Sequence, residues 1–428
     1  MKRVLIISPH FPPMNYPDMQ RIRMSLPYYK AQGWEPVVLC ADDKDEIGYR
    51  DYLLNDTIPE DIEVHKIKAY PVKYTSKVGL GSLSMRCYFQ MKKKGDELLK
   101  GRKFDLVFFS TTMFHVCALG RYWKKKFNIP FILDMQDPWR NDYYLKYPKR
   151  LRPKKYKFAY NIHKAMEAYT VPHVDGIMSV SEGYISMLKD RYPSIVNVPG
   201  VVIPFGTSEK DFEVVKNKNL QPEFIGATNN KINVVYIGAI VPFSVQLVKA
   251  FFISFEKNIP NKDDYHFYFI GTNYSVNIIN KKIEALAKET NLSEYVTELP
   301  QRISYFSALA TLKEADILFI PGSMDVDYNA SKIYNNILAG KPIFSVFNNR
   351  STVKKIIDES NAGVIVGVNG NETEEQLVSL IDQHIDKFKN LHKEHLSINK
   401  EVLAPFFAEY KTMEQVQFFN KIVDAKSN

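Results

Sequence analysis

The residue types that could do chemistry are concentrated in a few short stretches. One runs over 327–342 and reads Asp327-Tyr328-Asn329-Ala330-Ser331-Lys332-Ile333-Tyr334-Asn335-Asn336-Ile337-Leu338-Ala339-Gly340-Lys341-Pro342. An apolar run over 315–320, closed by Pro321 and Gly322, precedes it and reads as a strand of a parallel sheet. A polar loop follows. Ser331 then opens a helix in which Lys332, Ile333, Tyr334, Ile337 and Leu338 keep helical spacing, and Gly340 and Pro342 stop it. A helix start offers unpaired N–H groups and a positive dipole end, which suit a phosphate. Ser331 adds a hydroxyl and Lys332 a mobile cation. The same pattern would also serve an ordinary capped helix. A second stretch, Asp134-Met135-Gln136-Asp137-Pro138-Trp139, follows a strand over 129–133. It sets two carboxylates at the carboxyl end of a parallel strand, where doubly wound sheets place ligands and proton transfer. His115 is a third proton-transfer candidate, with a structural histidine as the alternative. Gly238 is small where a backbone could approach a phosphate, with a plain turn glycine as the alternative, and Arg302 is a cation near the same edge, with a surface arginine as the alternative.

The elements that must position these residues alternate. Strands are expected over 3–8, 35–41, 63–70, 104–110, 129–133, 174–181 and 201–204. Helices are expected over 19–33, 80–100 and 182–191, with another ending near 169. After a polar loop the alternation restarts: strands over 231–240, 266–271, 295–299, 315–321, 342–347 and 363–366, with helices over 245–257, 278–290, 305–313, from 331 and from 353. Helical spacing returns over 402–423. Strand–helix alternation of this kind implies parallel sheets. The loop after the first strand lacks a GxGxxG fingerprint, which argues against a nicotinamide or flavin enzyme.

A chain of 428 residues exceeds one ordinary core, so two domains are expected. Residues 1–205 carry 33 Lys/Arg against 21 Asp/Glu, a surplus of 12 inside a net charge of +9. The basic runs are 92–94, 100–103, 124–126 and 149–157, with Tyr143, Tyr144, Tyr147, Tyr156 and Phe158 interleaved. That pattern fits an anionic membrane surface or a solvated basic face; no nucleic-acid module is recognisable. Cys40, Cys87 and Cys117 have no metal-ligand spacing and suit a reducing compartment. No apolar stretch is long enough for a membrane span. A cytoplasmic protein is expected, or one peripheral on the inner membrane face.

The 331–342 segment resembles the SKxYExxxxGxP donor segment of GT-B glycosyltransferases, specifically the retaining family 4. Asp134 to Trp139 resembles that family's D-x-x-D-x-W turn, and Val202-Ile203-Pro204-Phe205-Gly206-Thr207 its VIPNGxD hinge, with Phe205 in place of Asn. The resemblance implies an α/β GT-B fold: two facing Rossmann-like doubly wound parallel-sheet domains with an interdomain cleft. The boundaries implied are 1–205 plus a returning helix 408–428, and 206–407. It implies sugar transfer, with retention, from a nucleotide-diphosphate donor to a saccharide or lipid-linked acceptor, as in cell-surface polysaccharide synthesis. No metal and no bound cofactor are required. Donor contacts fall on Gly238, Gln301, Arg302, Asp327, Asn329, Ser331, Lys332, Tyr334 and Asn335. Acceptor-side residues are Asn15, Arg21, Ser110, Thr111 and Trp139, with Asp137, Asp134 and His115 as catalytic candidates. The family's paired glutamates become Asp327 and Asn335. Its GRxxxxKG segment becomes Gly238-Ala239-Ile240-Val241-Pro242-Phe243-Ser244, without either cation; this passes the diphosphate to Lys332, Ser331 and helix N–H groups. Alternatives are a nucleotide-sugar epimerase and a binding or scaffold protein with a degenerate site.

Overall fold

The computed structural model describes the chain except residues 141, 143, 144, 146, 147, 149, 151, 153–155, 226–229, 274–279, 326–331, 395 and 428. It divides into two compact units: Met1–Gly206 with Ala408–Asn428, and Thr207–Phe407.

In the first unit the strands are β1 (Lys2–Ile7), β2 (Trp34–Ala41), β3 (Glu63–Ile67), β4 (Leu106–Ser110), β5 (Phe131–Met135), β6 (Gly176–Ser179) and β7 (Gly200–Val202). They form one parallel sheet in the order β3-β2-β1-β4-β5-β6-β7. The strand order reverses between β1 and β4. Helices α1 (Gln20–Ser25), α2 (Val72–Thr75), α3 (Leu83–Gly101), α4 (Ala118–Phe127), α5 (Tyr156–Thr170) and α6 (Glu182–Arg191) lie among the connections. Strands such as VLII and LVFFS are apolar throughout because both faces of a parallel sheet are covered.

Helix α15 (Ala408–Ser427) returns to this unit. It inserts Phe418, Phe419 and Ile422 into the core with Val4, Ile6 and Phe108. Phe419 is wholly buried, and burial of such a side chain is worth about 1.5–3 kcal/mol. Gly176 makes the close approach possible: a Cβ there would lie 2.9 Å from the Ile422 side chain.

The second unit has α7 (Glu209–Asn217), β8 (Ile232–Ile237), α8 (Pro242–Asn258), β9 (Tyr265–Ile270), α9 (Lys282–Glu289), β10 (Val296–Leu299), α10 (Tyr305–Glu314), β11 (Ile317–Ser323), α11 (Lys332–Leu338), β12 (Ile343–Asn348), α12 (Thr352–Ser360), β13 (Gly363–Val368), α13 (Glu374–Asp382) and α14 (Ile385–Leu391). Its parallel sheet runs β10-β9-β8-β11-β12-β13, reversing between β8 and β11. Phe251 is the hub of its core, stacking near Phe319 with centroids 4.5 Å apart and meeting Phe388 edge-on at 5.1 Å.

Three elements differ from expectation. The helix over 19–33 stops at Ser25 and continues as turns, because Pro27 lacks the N–H and its ring opposes a preceding helical turn. Strand β11 does not close at Pro321 but runs on to Ser323 through a register shift between Ile320 and Ser323. Gly322 permits this with φ +56, and its carbonyl accepts from Ser244 Oγ at 2.6 Å. The tail is broken: a 3-10 segment Lys400–Phe406 ends the second unit before α15 begins. Helices α2, α4, α7, α13 and α14 were not anticipated.

Candidate functional site

The carboxyl ends of both sheets carry polar residues, and they do so differently. In the first unit, β4 ends at Ser110 and β5 delivers Asp134. Asp134 Oδ2 accepts from Ser110 Oγ at 2.7 Å and from Gln136 Nε2 at 2.8 Å, and lies 2.7 Å from Arg21 Nε. Arg21 also donates to Ile203 O at 2.7 Å and covers the Phe205 ring at 5.1 Å. Asp134 is 2% exposed and Arg21 4%. Removing either partner would strand a buried charge. The acceptor-side residues Arg21 and Ser110 and the catalytic candidate Asp134 thus meet in one buried network.

Asp137, three residues on, is exposed. Crowding, followed by the nearby charge of Asp18, raises its carboxyl above the ordinary range. A carboxyl that is exposed yet reluctant to ionise is a reasonable proton exchanger. Trp139 is buried and stacks on Phe114 with centroids 5.5 Å apart. Just beyond it, the Arg140 N–H donates to the fully buried Glu167 at 3.1 Å, which also takes the Tyr192 hydroxyl at 2.9 Å. Thr111 is buried and donates to Asp18 at 3.0 Å. Asn15 is buried, its peptide N–H donating to Tyr49 O.

His115 faces elsewhere. Its Nδ1 is 2.7 Å from Ser84 Oγ on α3, and its ring lies 4.6 Å from that of His163 on α5. Burial, then His163, pushes its pKa down to about 4, so the ring is neutral at pH 7. The structure does not bring it to Asp134.

A polar group absent from the expectations occupies the same edge: His10 after β1, Asp18 before α1, and Glu46 after β2. His10 Nδ1 is 2.9 Å from Asp18 Oδ1, and its Nε2 is 3.7 Å from Glu46 Oε2. The imidazole stacks on Tyr16 with centroids 3.8 Å apart. Burial would lower the His10 pKa, but the Asp18 charge and bond, then Glu46, outweigh it and raise it. Both Glu46 carboxyl oxygens are buried and have no hydrogen-bond partner among the described residues, and burial pushes its pKa up to about 8. The available signal was positional: Ser8-Pro9-His10 stands at the end of the first strand. Nothing local marked Glu46.

In the second unit the end of β8 is Ile237-Gly238. Gly238 has φ +146, and a Cβ there would collide with the Lys332 ammonium, so Lys332 lies against the Gly238 backbone. The ammonium also faces the Tyr236 ring at 5.9 Å. Lys332 is exposed as a residue, yet its Nζ is closely surrounded; that local crowding, then the Arg302 charge, pushes its pKa down to about 8. The charge sits at the tip of the side chain, so the crowding around Nζ decides its ionisation. A small, largely enclosed cavity lined by Tyr236, Ser244, Ile320, Gly322, Lys332 and Asn336 lies here. Gln301 and Arg302 are exposed on the turn after β10. Asp327, Asn329 and Ser331 lie outside the described residues.

Two other donor candidates are engaged within this unit. Tyr334 is buried and stacks on Phe406 at 4.4 Å. Asn335 Oδ1 accepts from Thr207 Oγ1 and its Nδ2 donates to Tyr305 Oη at 3.4 Å; Tyr305 in turn donates to buried Asp211 at 2.8 Å. A carboxylate at 335 would share Tyr305 with the Asp211 charge, which like-charge repulsion disfavours. That accounts for an amide here. Among the described residues no group of three or more His, Cys, Asp or Glu is placed to hold a metal ion.

No protein-family model matches the chain, and no curated protein matches it in sequence. Solved structures do match in shape. Sucrose-phosphate synthase from Thermosynechococcus elongatus is 14% identical, with 99% of this chain and 100% of that one covered at a TM-score of 0.59. HepE of Anabaena, in complex with UDP, is 13% identical over 100% and 98%, TM-score 0.53. UDP-GlcNAc 2-epimerase from Methanocaldococcus jannaschii is 12% identical over 98% and 100%, TM-score 0.52. The fold is GT-B. In a GT-B chain the carboxyl edges of both sheets are the places to look for ligands, by the general rule for open parallel sheets. Gly238 and Lys332 lie at the strand reversal of one, Asp134 and Asp137 beside that of the other.

Proposed function

We propose that this protein is a glycosyltransferase that moves a sugar from a nucleotide-diphosphate donor to a saccharide or lipid-linked acceptor. The observation that carries this is the Lys332 ammonium lying on the Gly238 backbone at the β8 end. The resembling family supplies cations from the segment after β8. Here that segment has none, and a lysine from α11 reaches the same strand end instead. A cation at this point stabilises the diphosphate as it leaves, and Arg302 adds charge to the same edge. The binding of UDP by HepE, a protein of the same fold, supports a nucleoside diphosphate as the occupant.

Asp137, on the first unit, is the group proposed to meet the acceptor hydroxyl. The donor phosphate can itself take the hydroxyl proton as the acceptor attacks the face that the nucleoside diphosphate leaves, so retention needs no protein nucleophile, and Lys332 and Arg302 would serve in place of a metal. The acceptor is proposed to be met at an anionic membrane during cell-surface polysaccharide synthesis. On α3, Phe89 is 66% exposed beside Lys92, Lys93 and Lys100. Lys92 and Lys126 both bond Asp96, so part of that basic run is neutralised in place. No helix among the described residues is long and apolar enough to cross a membrane. Flotation with anionic vesicles tests the membrane step.

The likeness to an epimerase and the His10–Asp18–Glu46 group favour a second reading, in which a nucleotide sugar is isomerised without an acceptor. A panel of nucleotide sugars, with and without saccharide acceptors, separates the two. Nucleoside diphosphate released only with acceptor supports transfer. A changed sugar still joined to its nucleotide supports the epimerase. No response to any nucleoside diphosphate leaves a binding or scaffold protein.

A further inference from the structure

Behind the exposed Asp137 lies a buried pair that sugar transfer, as described above, leaves unused. Asp18 holds His10 Nδ1 at 2.9 Å through one carboxylate oxygen. Its other oxygen accepts from Thr111 Oγ1 at 3.0 Å, the Thr112 N–H at 3.0 Å and Thr112 Oγ1 at 3.1 Å. Its carbonyl takes Gln136 Nε2 at 3.1 Å. One residue, 4% exposed, therefore joins the loops that follow β1, β4 and β5. The strand order of the sheet reverses between β1 and β4, the place where open α/β sheets receive ligands.

Burial alone would raise the Asp18 pKa, but His10 and the hydrogen bonds outweigh it and hold the carboxyl below the usual range. A neutral amide could satisfy most of these donors. What a clamp does not explain is the charge, which costs desolvation. Among the described residues the charged groups facing the pair are Glu46, beyond His10, and Asp137. Arg21 and Asp134 beside them neutralise each other. Asp43 and Arg86 act on Glu46 from its far side.

Resting on the reading that this edge takes an acceptor, we propose that Asp18, charged and paired with His10, is the positioning residue of the acceptor site. It locks the loops after β1, β4 and β5 in one arrangement and so holds the exposed Asp137 carboxyl where an acceptor hydroxyl must be met.

The test uses the full chain with Asp18→Asn, which keeps shape and loses charge. Asp137 is followed by carboxyl carbon NMR titration, which needs no substrate, alongside UDP affinity and the pH profile of transfer. In Asp18→Asn, Asp137 is expected to titrate at lower pH than in wild type. The acidic limb of kcat moves the same way, and kcat falls about 100-fold, the scale of a misplaced reacting group. UDP affinity is retained. A folded Asp18→Asn variant with unchanged Asp137 titration and kcat overturns the proposal, as does parallel loss of UDP affinity and kcat. If Asp18→Asn does not fold, His10→Gln decides: unbalanced, the Asp18 charge should move Asp137 to higher pH, and an unmoved Asp137 overturns the assignment. A wild-type chain with no transfer activity would sink the transferase reading, while the titration still judges Asp18.

Discussion

The two units share a sheet plan and differ in how their carboxyl edges handle charge. The first unit buries its ions in mutual contact: Arg21 with Asp134, His10 with Asp18. The second places an ammonium over a bare glycine backbone at the strand end, with cavity space beside it. Charges already paired are poor anchors for a soluble anion, because binding would have to break bonds made in a dry setting. An ammonium with a depressed pKa is the opposite: an incoming phosphate restores the environment its charge lacks. On the function proposed above, this difference suits the second unit to the diphosphate and the first to a neutral, hydroxyl-rich partner.

That contrast can be broken most severely at Arg21. Arg21→Met should leave Asp134 buried without its cation and cost about 3–5 kcal/mol, read from denaturant unfolding of the first unit. A loss within the range of surface substitutions would mean the network is not tightly coupled. Asp137→Asn should reduce transfer about 100-fold while UDP affinity holds, checked by steady-state kinetics and calorimetry. Equal loss of both would place Asp137 outside the acceptor side.

On the other unit, Lys332→Met should weaken UDP binding by about 1.5–3 kcal/mol, the scale of a hydrogen bond to a charged group. Its pH dependence has a definite sign. With the Lys332 pKa at about 8, the ammonium is present below that pH, so UDP affinity should decline between pH 7 and 9 in wild type and stay flat in Lys332→Met.

At Glu46 the expected effect is on stability rather than on binding. Its folded pKa, about 8, lies above the ordinary 4.5, so the folded state holds the extra proton in between. Its contribution to stability is fully present below about 4.5 and is lost as pH rises through 8. Glu46→Gln should therefore flatten that part of the stability profile, giving a Tm above wild type at pH 8.5 and a smaller difference at pH 5. Coincident profiles would show that Glu46 ionises without penalty.

Local pattern was enough to reveal the repeated strands, because residues in a parallel sheet are apolar on both faces and a run such as Val-Leu-Ile-Ile has few other uses. It was also enough to mark Asp134, Asp137 and Lys332, since each stands directly after a strand or at a helix start. It could not say that Asp134 would be consumed by Arg21, residues apart by more than a hundred positions, or that His115 would turn toward Ser84 and His163. It gave no warning that His10 and Asp18, which share the loop after β1, would meet Glu46 from the turn after β2. Nor could it show that Asn335 serves Thr207 and Tyr305 inside its own unit. Apolar periodicity is a property of neighbours along the chain and survives in the one-dimensional text. Whether a charge is paired, dry or available depends on which distant side chain arrives beside it, and only the folded backbone decides that.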